Sequence, residues 1–356
     1  MTSTRARRLH SSPWQGVLYV TGGGAELLSE ILATEGASRT VLEASVPYSE
    51  RSLTELLGGS PDQACSATTA RAMAMTAFQR ARTLGASQPF GFASTASLAT
   101  DRAKRGSHRV HIAIQTADST LQSRFELTGS RTAQEAELVE IAWRAINQGL
   151  GLEATLGSPL QTVTATAAWR ELVLGNFVKT VTGEHDGKLL FPGSFNPLHD
   201  GHQNMMVVAE TKLGLSGAFE LSIENPDKPL LDYFEIRERL AQFRHPVWLT
   251  RLSTFTQKAQ NFPNATFIVG VDTLIRIADA KYYGGVSERD KQVAQMIDQG
   301  TRFLVFGRTI DDAYRSIADF DLPQGLLQLC EEVTEQEFRL DISSTDLRPG
   351  RTFSPF

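Results

Sequence analysis

One pattern constrains this sequence most: a short apolar run, a glycine turn and a segment of helical periodicity follow one another, and this order starts twice. The first apolar run is at residues 17–20 with glycines at 22–24, and the second is at residues 189–191 with its turn at Gly193. Strand-like and helix-like segments alternate after each start, which is typical of α/β domains. After the second start, the repeated β-α units predict a parallel sheet with helices on both faces. At 356 residues, the chain is long enough for two such domains.

The predicted organisation is an N-terminal α/β domain, a helical connector and a second α/β domain, at residues 14–151, 152–187 and 188–350. In the first domain we predict strands at 17–20, 39–46, 89–93, 109–115 and 121–127, and helices at 25–33, 68–84 and 133–146. In the last domain we predict strands at 189–191, 219–223, 247–252, 266–269 and 303–306, and helices from 201 and at 233–243, 255–262, 272–278 and 291–299. The connector is predicted to form one amphipathic helix over 164–181.

The composition favours a folded protein that binds small molecules. Hydrophobic residues make up 41% of the chain and charged residues 21%, so each domain can bury a core. The formal net charge of −5 argues against binding of long nucleic acid by bulk charge, but it is compatible with a small phosphate ligand. The sequence contains no apolar run of the length that spans a bilayer.

Two features bear on the compartment. Cys65 and Cys330 are far apart and belong to no C-x-x-C pattern, so we expect neither a disulfide framework nor a cysteine-based zinc site, and we predict a cytoplasmic location. Residues 1–12 are basic. We interpret them as a frayed tail, with a transit peptide or a twin-arginine signal as the alternative.

The most informative stretch is residues 191–202, which read F-P-G-S-F-N-P-L-H-D-G-H. The stretch follows a predicted strand and opens a predicted helix, at the carboxyl edge of a parallel sheet, where such folds bind ligands. Gly193 lets backbone N–H groups come close to a phosphate. His199 and His202 are three residues apart, so both imidazoles lie on one face of the first helical turn. The motif offers donors for a phosphate-centred transition state and no nucleophile.

Two other interpretations of these histidines are weaker. A pair of surface histidines in a loop does not account for their place within G-S-F-N-P-x-H-x-G-H after a strand. A zinc site needs a third ligand at fixed spacing, which two histidines at i and i+3 do not supply. We therefore predict no metal held by a cluster of protein side chains.

A second element lies at residues 342–348, which read I-S-S-T-D-L-R. Ser343, Ser344 and Thr345 can cap a short helix, and the forked guanidinium of Arg348 can bind a phosphate oxygen. By itself this pattern is also typical of a capped terminal turn. Together with residues 191–202 it favours a phosphate site.

GSFNPLHDGH followed by ISSTDLR resembles the nucleotidyltransferase superfamily marked by HxGH and ISSTxxR, and most of all its nicotinamide or nicotinate mononucleotide adenylyltransferases. The resemblance covers about residues 188–350. It implies a Rossmann-like sheet, ATP at the HxGH turn, and direct attack of a pyridine mononucleotide on the α-phosphate of ATP without a covalent intermediate. It also implies Mg²⁺ as a cofactor, held mainly through the ATP phosphates.

The same resemblance implies roles for individual residues. His199 and His202 would stabilise the α- and β-phosphates in the transition state. Lys228 is equally typical of a solvated loop, and Asp272 of a helix N-cap. The residues implied to bind ATP or the mononucleotide are Gly193, Ser194, Phe195, Asn196, Lys228, Gly270, Asp272, Ser343, Ser344, Thr345 and Arg348.

The N-terminal half resembles the C-terminal domain of competence-damage-inducible proteins, a family that includes nicotinamide-nucleotide amidases. The similarity covers about residues 14–150, including the V-T-G-G-G and P-Y-S-E-R segments at 20–24 and 47–51. Where that family has its nucleophilic serine and its lysine, this chain has Tyr19 and Leu53. Because a hydroxyl nucleophile needs a neighbouring base or cation, we expect an amidase-like domain without amide hydrolysis. Its expected role is either to bind a mononucleotide or to form a homo-oligomer.

The expected function is adenylyl transfer from ATP to nicotinamide or nicotinate mononucleotide, which gives NAD or its deamido form and pyrophosphate. Pairing with an amidase-like domain favours the nicotinamide form by association only. Two alternatives stay open: an HxGH enzyme with another phosphorylated acceptor, and a nucleotide-binding regulatory protein without turnover. The expected partners are ATP and a pyridine mononucleotide, with no nucleic acid and no membrane.

Overall fold

The computed structural model describes residues 3–101, 106–153, 160–225, 228–310 and 313–339. The chain divides into two compact units. Unit 1 contains Met1–Asn176 and Asn225–Ile236, and unit 2 contains Phe177–Glu224 and Arg237–Phe356. Each unit is built around its own sheet and its own core.

A mixed six-stranded sheet forms the centre of unit 1. Its strands are β1 (Gln15–Thr21), β2 (Val41–Ser45), β3 (Pro89–Ser97), β4 (Arg109–Gln115), β5 (Ser119–Glu126) and β6 (Gln161–Thr164). Their order in the sheet is β2-β1-β3-β4-β5-β6. β1 is parallel to β2 and β3, and the pairs from β3 to β6 are antiparallel. The strands predicted from the sequence are thus found, with β6 added at one edge.

Helices cover both faces of this sheet. They are α1 (Thr4–His10), α2 (Ala25–Leu32), α3 (Glu50–Leu57), α4 (Ala67–Thr83), α5 (Arg131–Gly149) and α6 (Ala167–Leu174). Along β1, Leu18 and Val20 pack with α2 and α5, whereas Val17 and Tyr19 pack with α3 and α4. This alternation follows from the strand geometry, in which successive side chains point to opposite faces.

The N-terminal stretch is a helix, so the prediction of a frayed tail is wrong. α1 buries Ala6 and Leu9 in the core of unit 1. The Arg5 guanidinium pairs with Glu30 at 2.9 Å and with Glu140 at 2.7 Å. These carboxylates are remote in sequence, so the basic composition of the stretch alone gave no sign of them.

Residues 225–236 pack with unit 1, although in sequence they lie between two segments of unit 2. Asp232, which is 2% exposed, pairs with Arg71 of α4 at 2.8 Å between Oδ2 and Nε. Tyr233 is fully buried and donates its hydroxyl hydrogen to the carbonyl oxygen of Ala117 at 2.6 Å. A buried ion pair and a partly buried hydrogen bond therefore attach this segment to the unit.

The connecting segment contains less helix than predicted. α6 starts after Thr166, whose side chain accepts a hydrogen bond from the Trp169 N–H, and it ends at Gly175 with φ of 78°. The prediction of one helix over 164–181 is wrong, because Gly175 adopts the left-handed conformation that ends helices. Residues 179–181 instead form a strand of the second sheet.

A seven-stranded sheet forms the centre of unit 2, beside a small hairpin. The strands are β7 (Lys179–Val181), β8 (Leu189–Pro192), β9 (Gly217–Ser222), β10 (Val247–Thr250), β11 (Thr266–Gly270), β12 (Arg302–Phe306), β13 (Arg308–Ile310), β14 (Ala313–Arg315) and β15 (Cys330–Val333). The large sheet has the order β15-β12-β11-β8-β9-β10-β7, and β13 pairs with β14. Its strands run parallel except for the antiparallel edge strand β7. The α/β fold class and the parallel C-terminal sheet are therefore confirmed.

The helices of unit 2 follow its strands, as expected for β-α units. They are α7 (Asp200–Leu213), α8 (Tyr233–Leu240), α9 (Phe255–Asn261), α10 (Val271–Ala278), α11 (Val286–Asp298) and α12 (Gln324–Leu327). The division between the two units falls within α8. Within the described ranges, no helix is both long and apolar enough to cross a membrane.

Candidate active site

The site predicted from the sequence lies where the strand order of the large sheet reverses. β8 is flanked by β9 and β11, and the chain proceeds from β8 toward one edge before it returns to β11 on the other side. Open α/β sheets bind ligands in the crevice outside the carboxyl ends of such strands. Gly193 directly follows β8, and Gly270 ends β11. Two of the predicted turns therefore lie at neighbouring positions of this edge.

Gly193 is required by the packing of the turn. Its N–H donates to the carbonyl oxygen of Glu220 at 3.0 Å. A Cβ at this position would lie 2.6 Å from the ring of Phe195. That ring is 2% exposed and packs against Phe191 and Phe219, with centroid distances of 5.6 Å and 5.0 Å. The buried Phe195 ring therefore supports the turn from inside.

Two side chains from the α8 region hold the turn from outside. Gln242 donates to the carbonyl oxygen of Phe195 at 3.2 Å and accepts from the N–H of Leu198 at 2.8 Å. Arg239 donates to the carbonyl oxygen of Ser194 at 3.1 Å. Sequence reasoning missed both residues, because their partners are more than 40 residues away. The side chains of Ser194 and Asn196 are exposed.

The two histidines form one stacked pair at the start of α7. His199 is the N-cap residue, and its N–H donates to His202 Nδ1 at 3.3 Å. The imidazole centroids are 3.7 Å apart, with an angle of 26° between the rings. Because Nδ1 of His202 accepts a hydrogen bond, its neutral ring carries the proton on Nε2. The Nε2–H group is therefore the donor that His202 can offer to a ligand.

The surroundings of both imidazoles lower their pKa and so favour the neutral form. Burial, and secondarily the neighbouring His199, lowers the pKa of His202 to about 3. Burial also lowers the pKa of His199, and the charge of Asp200 opposes this shift only in part. A bound anion would favour the protonated form of each ring. The pair is thus a donor site in which His202 offers its Nε2–H group.

The second turn of the edge carries a carboxylate. Asp272 belongs to α10, which begins directly after β11, and its Oδ2 lies 3.1 Å from Arg308 Nη1. A Cβ at Gly270 would lie 2.6 Å from Asp272 Oδ1. Sequence analysis predicted Gly270 and Asp272 as site residues but not Arg308, which lies in a three-residue strand without a periodic signal.

A buried ion pair supports the sheet below the Gly193 turn. Glu220 is fully buried, and both of its carboxylate oxygens lie 2.7 Å from Lys258 Nζ. The hydroxyl of Thr250 also donates to this carboxylate. Because its charges are paired and hydrogen-bonded, the cluster fixes the strand whose carbonyl holds Gly193.

The other predicted site residues lie outside the described part of unit 2. Lys228 is exposed and belongs to residues 225–236 of unit 1. Ser343, Ser344, Thr345 and Arg348 lie outside the described residues. Among the residues that the structure describes, no group of three or more histidine, cysteine or carboxylate side chains could hold a metal ion.

In unit 1, the residues at the places of the amidase nucleophile and lysine are buried. Tyr19 and Leu53 are each 3% exposed and belong to the same core. The Tyr19 hydroxyl donates to Glu43 at 3.0 Å, and burial together with this hydrogen bond raises the pKa of the phenol. Neither side chain is therefore available to a ligand at the surface.

Comparison with known families agrees with the geometry of unit 2. Residues 190–350 match the family model described as cytidylyltransferase-like. The match covers the switch point, the H-x-G-H turn and the C-terminal I-S-S-T-D-L-R segment. This part of the chain is therefore similar to nucleotidyltransferase domains of the cytidylyltransferase-like type.

Individual relatives give more detail. The chain is 31% identical, over 133 aligned positions, to a Schizosaccharomyces pombe protein named "Putative nicotinamide mononucleotide adenylyltransferase". That similarity covers 33% of this chain and 52% of the relative, so the chain spans about half the length of this curated relative.

Solved structures of the competence-damaged protein (CinA) superfamily are the neighbours of the N-terminal part. One is from Enterobacter cloacae, with a TM-score of 0.35, 20% identity, and coverage of 41% of this chain and 87% of that chain. Another is the competence/damage inducible protein CihA of Agrobacterium tumefaciens, with a TM-score of 0.34, 20% identity, and coverage of 42% and 93%.

Proposed function

We propose that this protein transfers the adenylyl group of ATP to nicotinamide mononucleotide or nicotinate mononucleotide and releases pyrophosphate. The products are NAD or its deamido form. The observation that carries the proposal is the neutral, stacked His199–His202 pair beside the Gly193 turn at the switch point of the sheet. The cytidylyltransferase-like match supports the reaction class, and the name of the Schizosaccharomyces pombe relative supports the substrate.

The histidines act in this proposal as donors to the departing pyrophosphate. Nδ1 of His202 is occupied by the His199 N–H, so Nε2–H is the group directed at a phosphate oxygen. A hydrogen bond from an N–H group becomes stronger as its acceptor oxygen becomes more negative. The hydrogen bond therefore strengthens as charge builds up in the transition state, which is when a donor accelerates the reaction. His199 contributes in the same way from the N-cap position.

The chemical step is a direct displacement. A 5′-phosphate oxygen of the mononucleotide attacks the α-phosphorus of ATP, the bond from that phosphorus to the bridging oxygen breaks, and pyrophosphate leaves with the electron pair. Main-chain N–H groups of the Gly193 turn and the start of α7 orient the phosphates. We further propose that Ser343, Ser344, Thr345 and Arg348 bind the triphosphate, and that Lys228 binds a substrate phosphate.

Mg²⁺ fits this site as an ion carried by ATP. Mg²⁺ prefers oxygen ligands, and the described part of the chain holds no group of three or more histidine, cysteine or carboxylate side chains that could bind a metal ion. Phosphate oxygens would therefore supply most of its ligands. When bound, the ion would neutralise part of the phosphate charge.

For unit 1 we propose a role other than amide hydrolysis. A buried phenol that is hydrogen-bonded to a carboxylate is a poor nucleophile, and Tyr19 is such a phenol. The proposed role of this unit is either to bind a mononucleotide or to form a homo-oligomer.

The direct test is pyrophosphate release from ATP with each of the two mononucleotides, together with detection of the dinucleotide. Pyrophosphate and dinucleotide should form in equal amounts. CTP in place of ATP, and phosphopantetheine as acceptor, are the controls for substrate class. ATP binding without pyrophosphate release would instead identify a nucleotide-binding regulatory protein, and turnover restricted to the control substrates would refute the proposed acceptor.

A further inference from the structure

The short helix α8 has its first half in one unit and its second half in the other. Residues 233–236 belong to unit 1 and residues 237–240 to unit 2. An isolated helix shorter than about 12 residues is only marginally formed in water. Because α8 has eight residues, the contacts at its two ends decide how well it is fixed.

Asp232 fixes the start of α8 with both of its carboxylate oxygens. Oδ1 accepts hydrogen bonds from the N–H groups of Phe234 at 2.8 Å and Glu235 at 3.1 Å, which is what an N-cap residue does. Oδ2 pairs with Arg71 Nε of α4 at 2.8 Å, and both side chains are buried. The Arg71 guanidinium also lies over the Phe234 ring, with 5.3 Å between Cζ and the ring centroid. One buried carboxylate therefore joins the cap of α8 to α4.

The other N–H groups at the start of α8 are satisfied as well. The Tyr233 N–H donates to Thr120 Oγ1 of β5 at 3.1 Å, and the Ile236 N–H donates to the carbonyl oxygen of Asp232 at 3.0 Å. The first four N–H groups of a helix have no partner within the helix. In α8 each of the four finds an acceptor in unit 1, so this unit fixes where the helix begins.

The end of α8 holds the Gly193 turn. Arg239 in the last turn of the helix and Gln242 just after it bind two carbonyl oxygens and one N–H group of residues 194–198. The ring of Phe243, the next residue, packs on the ring of Phe195 with 5.3 Å between the centroids. The position of the turn therefore depends on where α8 ends.

We propose that unit 1 positions the Gly193 turn through α8, with Arg71 and Asp232 as the positioning residues at the start of this helix. This role is additional to the two proposed for unit 1. It rests on the proposed function, in which the turn orients the phosphates of ATP. Misplacement of reacting groups by about 1 Å can cost about a hundredfold in rate, so loosening the start of α8 should slow adenylyl transfer.

The experiment compares Arg71→Met with Met73→Ala in the full chain, under conditions in which circular dichroism shows each variant to be folded. Met73 is a fully buried residue of the same helix, in a core cluster whose described members all precede residue 114. Its truncation destabilises unit 1 but leaves the ion pair of Arg71 in place. Arg71→Met should lower kcat/KM for ATP about tenfold or more, and Met73→Ala should leave it within about threefold of wild type. Arg71→Lys should restore part of the loss, because an ammonium group can still pair with Asp232.

A double substitution tests whether Arg71 acts through the turn. Gln242→Ala should lower kcat/KM in the wild-type background, because it removes two hydrogen bonds of the turn. In the Arg71→Met background it should add little, since the turn is already loosened. Independent sites give additive effects instead, so additivity of Arg71→Met and Gln242→Ala would overturn the proposal.

Hydrogen exchange, followed by mass spectrometry, gives a readout that needs no turnover. The Leu198 N–H donates to Gln242, so peptides that cover residues 193–199 should exchange several times faster in Arg71→Met than in the wild type. Met73→Ala should exchange as the wild type does. Equal kinetics and equal exchange in Arg71→Met and Met73→Ala would overturn the proposal.

Two further outcomes are separable. If Arg71→Met does not fold, Thr120→Val takes its place, because it removes the acceptor of the Tyr233 N–H, and it should lower kcat/KM and speed exchange of the turn in the same direction. A Thr120→Val variant with wild-type kinetics and exchange would then overturn the proposal. If the wild type releases no pyrophosphate with any acceptor, the proposed function fails, and hydrogen exchange alone decides the positioning role.

Discussion

Each unit places a glycine turn between a strand and a helix, but the two helix N-termini have different partners. In unit 1, the Glu135 carboxylate accepts hydrogen bonds from the N–H groups of Gly24 at 2.7 Å and Glu26 at 3.3 Å, at the start of α2. In unit 2, the start of α7 carries the neutral imidazoles of His199 and His202. Helix N-termini attract anions. One of these two is already neutralised by an anion of the protein itself.

This difference shows why a strand, a glycine turn and a helix do not by themselves make a phosphate site. An internal carboxylate and a phosphate compete for the same main-chain amides, and the internal carboxylate does not have to be bound from solution. Beside α2 there is a cavity of about 370 Å³, lined among others by Glu26, Tyr48, Arg131 and Glu135. Its carboxylates disfavour a phosphate there, whereas the start of α7 carries the imidazoles of His199 and His202.

The largest expected effect concerns the buried ion pair that attaches residues 225–236 to the rest of unit 1. Arg71→Met leaves the carboxylate of Asp232, which is 2% exposed, without its guanidinium. Breaking a buried ion pair in this way typically costs about 3–5 kcal/mol, so the free energy of unfolding of unit 1 should fall by that amount in urea titrations. A fragment that starts near Glu184 should lose the same partner and be cleaved by proteases within residues 225–236.

Arg51→Met is the control for this prediction, because Arg51 pairs with Glu55 on the surface, with side chains 90% and 67% exposed. Its loss should cost less than about 1 kcal/mol. A stable fragment from residue 184 with a protected 225–236 segment would show that this segment does not depend on unit 1.

The next largest effect concerns catalysis at the start of α7, where His199 and His202 lie. His202→Ala should lower the turnover number about a hundredfold and change ATP affinity much less, because a donor aimed at developing charge acts mainly in the transition state, at about 3 kcal/mol. Steady-state kinetics and calorimetric ATP binding measure the two quantities. His245→Ala is the control, since His245 is a partly exposed histidine of the same unit that contacts Glu210. A turnover number within about threefold of wild type would refute the role of His202.

A smaller effect is expected when the turn itself is overpacked. Gly193→Ala places a Cβ 2.6 Å from the Phe195 ring, and such overpacking typically costs about 1–3 kcal/mol. Stability and turnover should fall together, because the turn must shift. Gly183→Ala is the control, since its Cβ would make only an ordinary contact of 3.8 Å with Pro246. Equal effects of the two substitutions on the melting temperature would mean that the Gly193 turn adapts without strain.

The smallest effect tests the N-terminus of α2, where the Glu135 carboxylate accepts hydrogen bonds from the main-chain amides. Glu135→Gln removes the charge that neutralises the start of α2, which should cost about 0.3–1 kcal/mol. Phosphate should then raise the melting temperature of the variant more than that of the wild type. Glu137→Gln, an exposed neighbour on α5, should behave as wild type. Equal stabilisation of wild type and Glu135→Gln by phosphate would mean that the Glu135 carboxylate does not keep phosphate from the N-terminus of α2.

The sequence predicted the parts of the molecule that have a local signal. The apolar run before Gly193 and the two histidines three residues apart identify β8, the turn and the first turn of α7 without any knowledge of contacts. The same is true of Gly270 and Asp272, because a strand end followed by a helix start is visible in the pattern of residues.

Features that depend on distant partners could not be predicted in this way. Arg239, at the end of α8, and Gln242, just after this helix, hold the Gly193 turn, and the sequence of the helix reveals only its periodicity. Arg308 lies in a strand of three residues, too short for an alternating pattern. The basic residues near the N-terminus suggested a solvated tail, whereas Arg5 meets Glu30 and Glu140 from remote parts of unit 1.

The most direct test of the contrast between the two units is a single incubation of the full chain with ATP, Mg²⁺ and nicotinamide mononucleotide. Pyrophosphate, dinucleotide and ammonia are measured in the same sample. We predict equal amounts of pyrophosphate and dinucleotide and no ammonia, because the donors beside Gly193 are available and the phenol of Tyr19 is buried. The same pattern should hold with nicotinate mononucleotide if the site accepts both. Steady ammonia release without pyrophosphate would contradict both the adenylyl transfer proposed for unit 2 and the absence of amide hydrolysis proposed for unit 1.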